Sequence, residues 1–209
     1  GGIQVQTGTA SSGASGSIRL RTGASANNKA GSIELSAGDS NLGTGPDMNI
    51  IGGNSLSETG GNVQISSGAG SKTSSGSVSV ITSNAGTSGV SGVMVIQTGT
   101  SSAGASGSMT IATGAATAGA SGAVSVTIGV ADTGAGGTFS VQAGDSNSAR
   151  GGSVDMKAGV GTSGGDILFT AGESSQQTGG RIVLNSAASA GGSGGSVSIA
   201  SSNNGAESG

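Results

Sequence analysis

The chain has no cysteine, histidine, tryptophan or tyrosine among its 209 residues, and it contains only two phenylalanines and one proline. Without histidine or cysteine it cannot form a Ser-His-Asp triad, a Cys-His pair, a zinc finger or a disulfide framework. Without aromatic side chains it lacks the stacking platform that binds single-stranded nucleic acid. The composition therefore argues against an enzyme and predicts no catalytic residue, no metal site and no cofactor.

Charge is also scarce. Charged residues make up 8% of the chain, and seven basic against ten acidic residues give a formal net charge of -3. Binding a phosphate backbone needs a strong positive charge, so we expect no nucleic-acid partner. No apolar run approaches the roughly 20 residues of a transmembrane helix, so we expect no membrane insertion. A GxGxxG match at 159–164 is of the kind expected by chance among 46 glycines, and no helix-forming segment follows it.

The chain does have an internal repeat. A motif of the form Gly-x-apolar-x-apolar-x-small-Gly recurs along the chain; its apolar pair is present in all fourteen copies, its final glycine in eleven, and successive copies start 15 residues apart. The exceptions are a step of 16 from Val78 to Met94 and a step of 13 from Val154 to Ile167. Glycine stands two positions before the first apolar residue in thirteen copies, and Pro46 replaces it in the other.

Each copy carries two large apolar residues. The first ones are Ile3, Ile18, Ile33, Met48, Val63, Val78, Met94, Met109, Val124, Phe139, Val154, Ile167, Ile182 and Val197. The second ones, two positions later, are Val5, Leu20, Leu35, Ile50, Ile65, Val80, Ile96, Ile111, Val126, Val141, Met156, Phe169, Leu184 and Ile199.

Apolar residues at alternate positions between glycines predict short strands and exclude helices. Two apolar side chains cannot form a core within one repeat, so burial requires stacking of repeats. We therefore predict an all-β fold, a parallel β-solenoid of about fourteen 15-residue repeats with one short strand each and glycine at the corners. The 28 apolar residues would form its internal columns. One repeat per coil is favoured, and two repeats per coil remain an alternative.

The repeat covers residues 1–209 as one continuous array with no capping segment, so the expected partner is a further copy of the chain or a longer array. Consecutive repeats place Arg19 at the position of Glu34 and Asp166 at the position of Arg181. No two consecutive repeats place like charges at equivalent strand positions, as stacking would require. Two other pairs of carboxylates in consecutive repeats, Asp155 with Asp166 and Glu34 with Asp47, are interpreted as solvated surface charges.

The whole chain resembles Gly/Ser/Thr-rich tandem-repeat proteins of microbial and algal cell surfaces. The resemblance rests on repeats such as SGSIRLRTG at 15–23. It implies a secreted, structural role at the cell surface, as a building block of an extracellular filament or fibre, where the many Ser and Thr residues could carry surface glycans. An ice-binding or polysaccharide-adhesive module is the alternative, although the Thr-x-Thr pairs Thr7/Thr9 and Thr98/Thr100 do not continue into a regular array.

Overall fold

A computed structural model describes residues 1–201 of the chain. In this range the backbone forms no α-helix and no β-strand, so it forms no sheet. The predicted all-β parallel β-solenoid is therefore wrong: segments one repeat apart do not pair into a ladder. The same range holds no helix that could cross a membrane.

Exposure to solvent shows that the predicted core is absent from residues 1–201. The accessible surface is 20737 Å², whereas a folded chain of this mass exposes about 8,400 Å² and an unfolded one about 27,500 Å². No residue of 1–201 is buried, and Ile18, Ile33 and Val63 are each 53% exposed. Two apolar side chains per repeat do not outweigh the entropy cost of ordering a backbone so rich in glycine. The residues of the proposed internal columns are thus accessible side chains.

Local structure nevertheless repeats regularly. We call the three residues from the first to the second apolar residue a triplet, as in 139–141. We call the segment between two triplets an arch. It begins two residues after the second apolar residue of one triplet and ends two residues before the first apolar residue of the next, as in 143–152. Each arch within 1–201 contains one three-residue bend. The bends lie at 11–13, 26–28, 41–43, 56–58, 71–73, 87–89, 102–104, 117–119, 132–134, 147–149, 161–163, 175–177 and 190–192.

Two local devices form many of these bends. In five of them the last residue is a glycine with positive φ, a conformation that side chains with a Cβ disfavour: Gly13, Gly43, Gly89, Gly104 and Gly134. In four others a serine just before the bend accepts a hydrogen bond from a backbone N–H three residues later. These donor and acceptor pairs are Asn28 to Ser25, Glu58 to Ser55, Ala149 to Ser146 and Gln177 to Ser174.

The chain divides into two units, Gly1–Met109 and Thr110–Gly209. The first contains seven arches, from 7–16 to 98–107. The described part of the second contains six, from 113–122 to 186–195. The same alternation of triplet and arch therefore builds both units.

Candidate assembly surface

The two ends of an arch meet wherever the arch ends in glycine. A β-carbon placed on Gly16 would lie 3.4 Å from Thr7 Cγ2, and one placed on Gly152 would lie 3.3 Å from Ala143 Cβ. The equivalent approach occurs in all twelve arches of 1–201 that end in glycine. A β-carbon at this position would contact the start of the arch in each of these twelve arches, and at Gly137 it would come within 2.8 Å of Ile128 Cγ2.

Arch closure is also where the chain is most protected from solvent. Only five residues of 1–201 are half-buried, and every one is the first residue of an arch: Thr7, Gly52, Ala143, Ala158 and Ala171. The first residue of an arch therefore faces the last residue of the same arch. The apolar pairs, by contrast, remain exposed.

Six arches are closed by a backbone hydrogen bond. In 143–152 the Gly152 N–H donates to the carbonyl of Gly144, the second residue of the arch, at 2.9 Å. Equivalent bonds close five more arches, with donors and acceptors Gly61 to Gly53, Gly76 to Gly68, Gly165 to Gly159, Gly180 to Gly172 and Gly195 to Ala187. These six are the backbone–backbone hydrogen bonds of residues 1–201.

The identity of the first arch residue separates closed from open arches. All six closed arches begin with Gly, Ala or Ser, which have no branch at the β-carbon. Six of the seven open arches begin with a β-branched residue: Thr7, Thr22, Thr82, Thr98, Thr113 and Ile128. The γ-methyl group occupies the space between the two ends, as in Ile128, whose Cγ2 would lie 2.8 Å from a β-carbon on Gly137. Branching at this position therefore holds the arch open.

The seventh open arch confirms the geometry of the bond. It begins with Ala37, which leaves room for closure, but it ends in Pro46. Proline has no backbone N–H, so the donor of the closing bond is missing. Pro46 departs from the glycine pattern of the sequence, and its missing N–H explains why this arch has no closing bond.

The two repeat steps that differ from 15 residues change the length of an arch and not of a triplet. The arch 82–92 has one residue more than the usual ten, and 158–165 has two fewer. In both, the last glycine still approaches the first residue, at 3.5 Å measured from a β-carbon on Gly92 to Thr82 Cγ2 and from one on Gly165 to Ala158 Cβ. Insertions and deletions thus leave the triplets unchanged.

Side-chain contacts show a locally extended backbone in two repeats, those that begin at Ile3 and Val124. Gln4 Nε2 donates to Gln6 Oε1 at 2.6 Å, and the hydroxyl groups of Ser125 and Thr127 lie 3.5 Å apart. Side chains two positions apart point to the same side only when successive residues alternate, as in a strand. In these two repeats the polar residues on either side of the second apolar residue therefore share one face.

The apolar face of the triplets is accessible along the chain. From Ile18 to Val197 the first apolar residues are 46 to 64% exposed, and from Val5 to Phe169 the second ones are 61 to 77% exposed. Their extended backbone makes no hydrogen bond to another backbone group within 1–201. Each triplet consequently offers two apolar side chains and the edge of an unpaired strand-like segment, the combination that invites pairing with another chain.

Other kinds of site are not visible in residues 1–201. The described residues enclose no pocket, and no three His, Cys, Asp or Glu residues come together as metal ligands. The carboxylates of Glu34, Asp47, Asp155 and Asp166 are exposed, and the solenoid that would have aligned them is absent.

Comparison with known proteins gives no further guidance. No protein-family model matches the chain. No curated protein and no solved structure matches it either.

Proposed function

We propose that the chain is a structural, non-enzymatic building block of an extracellular filament or surface fibre. The observation that supports this proposal is that every repeat of residues 1–201 carries an exposed apolar pair and that no residue in this range is buried. The accessible surface exceeds that of a folded protein of the same mass by about 12,000 Å², several times the roughly 1,600 Å² that a stable interface buries. Association with further chains would remove much of this surface from water.

The arches favour a structural role over the ice-binding alternative. An ice-binding face needs threonines that point outward in a regular array. Here the methyl groups of Thr7 and Thr98 face Gly16 and Gly107 at the other ends of their arches, 3.4 Å and 3.8 Å from β-carbons placed there. The first threonine of each Thr-x-Thr pair is thus engaged in the arch.

Electron microscopy of the full chain at increasing concentration tests the proposal. The unsubstituted chain should form long filaments of uniform width. Ile111→Asp should suppress them, because a charge would enter the apolar contact, whereas Ser125→Asp on the polar face should leave them intact. Ile111 is 77% exposed in the single chain, so its substitution should affect assembly without altering the arches.

Two results would contradict a filament role. One is a chain that sediments as a monomer at millimolar concentration. The other is a measurable thermal hysteresis of freezing in the absence of filaments, which would favour ice binding instead.

A further inference from the structure

The triplets pair with no other segment of residues 1–201, and the sequence indicates what their partner is. We propose that they form the contact surface for a second copy of this chain, which lies alongside in parallel, displaced by one repeat. This inference rests on the proposed function and adds to it the identity, direction and register of the contact.

A second copy fits because of its spacing. A partner must present strand-like segments with apolar pairs every 15 residues over fourteen repeats, and another copy of this chain does so. Parallel neighbours about 4.8 Å apart would satisfy the free backbone groups of the triplets. A displacement by one repeat sets a normal arch beside the longer 82–92 or the shorter 158–165, but arches absorb such differences while the triplets stay aligned.

Charge selects the displacement. With no displacement, every charged side chain lies opposite the same residue of the neighbouring copy, which places like charges together. A displacement of one repeat instead sets Arg19 opposite Glu34 and Arg181 opposite Asp166, and it brings no like charges together at equivalent positions of residues 1–201. A displacement of two repeats sets Asp145 opposite the equivalent Glu173, which is again unfavourable.

A displacement of one repeat also explains how a filament can keep growing. When two copies are offset by one repeat, each uses a different part of its surface for the neighbour on either side. Such a contact does not close on itself and therefore produces an open filament. The negative net charge of -3 is small enough to permit close association.

Disulfide cross-linking between single-cysteine variants measures the register directly, since the chain has no cysteine of its own. Thr110 and Ser125 are the middle residues of consecutive triplets, and both are exposed. Filaments are grown from an equimolar mixture of Thr110→Cys and Ser125→Cys chains and oxidised, and the dimers are identified by mass. Neighbouring strands bring such positions within the range of a disulfide.

A displacement of one repeat predicts dimers that contain one chain of each variant. Dimers of a single variant would show that the copies align without displacement and would overturn the inference. Filaments that give no cross-link, or all three dimers in statistical proportion, would overturn the defined register. If the unsubstituted chain forms no filament, the proposed function and this inference both fail, whereas filaments with the wrong cross-link contradict only the inference.

Charge reversal provides a second measurement. Arg19→Glu should raise the critical concentration for assembly about two- to tenfold at low salt, because an attractive contact with Glu34 becomes repulsive. The double variant Arg19→Glu/Glu34→Arg should restore the original value. If the copies were not displaced, like charges would meet in the unsubstituted chain and in both variants, so the critical concentration would change little. Such a result would overturn the proposed displacement of one repeat.

Discussion

Replacing Ala143 with threonine should open the arch 143–152. In the unsubstituted chain the Gly152 N–H donates to the Gly144 carbonyl at 2.9 Å. A threonine at 143 would carry a γ-methyl group into the space between the ends of the arch. Thr7 has its methyl there, 3.4 Å from a β-carbon on Gly16, and the arch that it begins has no closing bond.

The converse substitution should close an open arch. Thr113→Ala removes the methyl that lies 3.6 Å from a β-carbon on Gly122, so the Gly122 N–H can reach the carbonyl of Gly114. The backbone amides whose hydrogen exchange is measured belong to Gly152 and Gly122, which are unchanged in the variants. Their intrinsic exchange chemistry is therefore nearly unchanged.

The expected change in amide protection is that caused by the loss or gain of one hydrogen bond. Its net contribution is about 0.5–1.5 kcal/mol, which corresponds to a change of about two- to tenfold in amide protection. Hydrogen exchange of 15N-glycine-labelled chains, kept below the assembly concentration, should show Gly152 losing this protection in Ala143→Thr and Gly122 gaining it in Thr113→Ala. Gln142→Thr is the control, because its exposed side chain is next to the arch and not part of it.

Unchanged protection of Gly152 in Ala143→Thr, or equal losses in Ala143→Thr and Gln142→Thr, would refute the role of β-branching. The correlation between the first arch residue and the closing bond would then have another cause.

Two further predictions concern the arches and bends. Pro46→Gly should close the arch 37–46, because it supplies the missing donor for the carbonyl of Gly38; an amide at position 46 that exchanges as fast as in a random coil would contradict this. Ser146→Ala should accelerate exchange of the Ala149 amide about two- to fivefold, because it removes an acceptor at 2.9 Å. Ser148→Ala should not, and equal acceleration in both variants would mean that the serine hydroxyl does not hold the bend.

The period of the chain could be predicted from sequence, because it follows from a local pattern, whereas the predicted strand in every repeat is not formed within 1–201. The alternation in Gln4–Gln6 and Ser125–Thr127 has a period of two, as the apolar pairs indicated. The place of the glycines before the triplets was also visible, although its reason was not. The serine acceptors of the bends were missed, since a serine such as Ser146 is one of many in the chain.

The buried columns were a wrong prediction because burial depends on contacts between distant repeats. Alternating apolar residues specify a strand-like segment with one apolar face, but they do not specify what covers that face. The same charge pattern that agreed with stacking of repeats in one chain agrees equally with pairing of two chains. Ile18 and Ile33 therefore had the right spacing for a core, and the structure leaves them 53% exposed.

Sequence alone thus determined the repeat and the lack of histidine and cysteine, since these depend on composition and on neighbours along the chain. Only the tertiary structure decided that the two ends of an arch approach each other instead of stacking on the next coil. It also decided which arches close, because that depends on a methyl group between residues nine positions apart, as between Thr7 and Gly16. Contacts of this kind are set by distances in space, which periodicity does not encode.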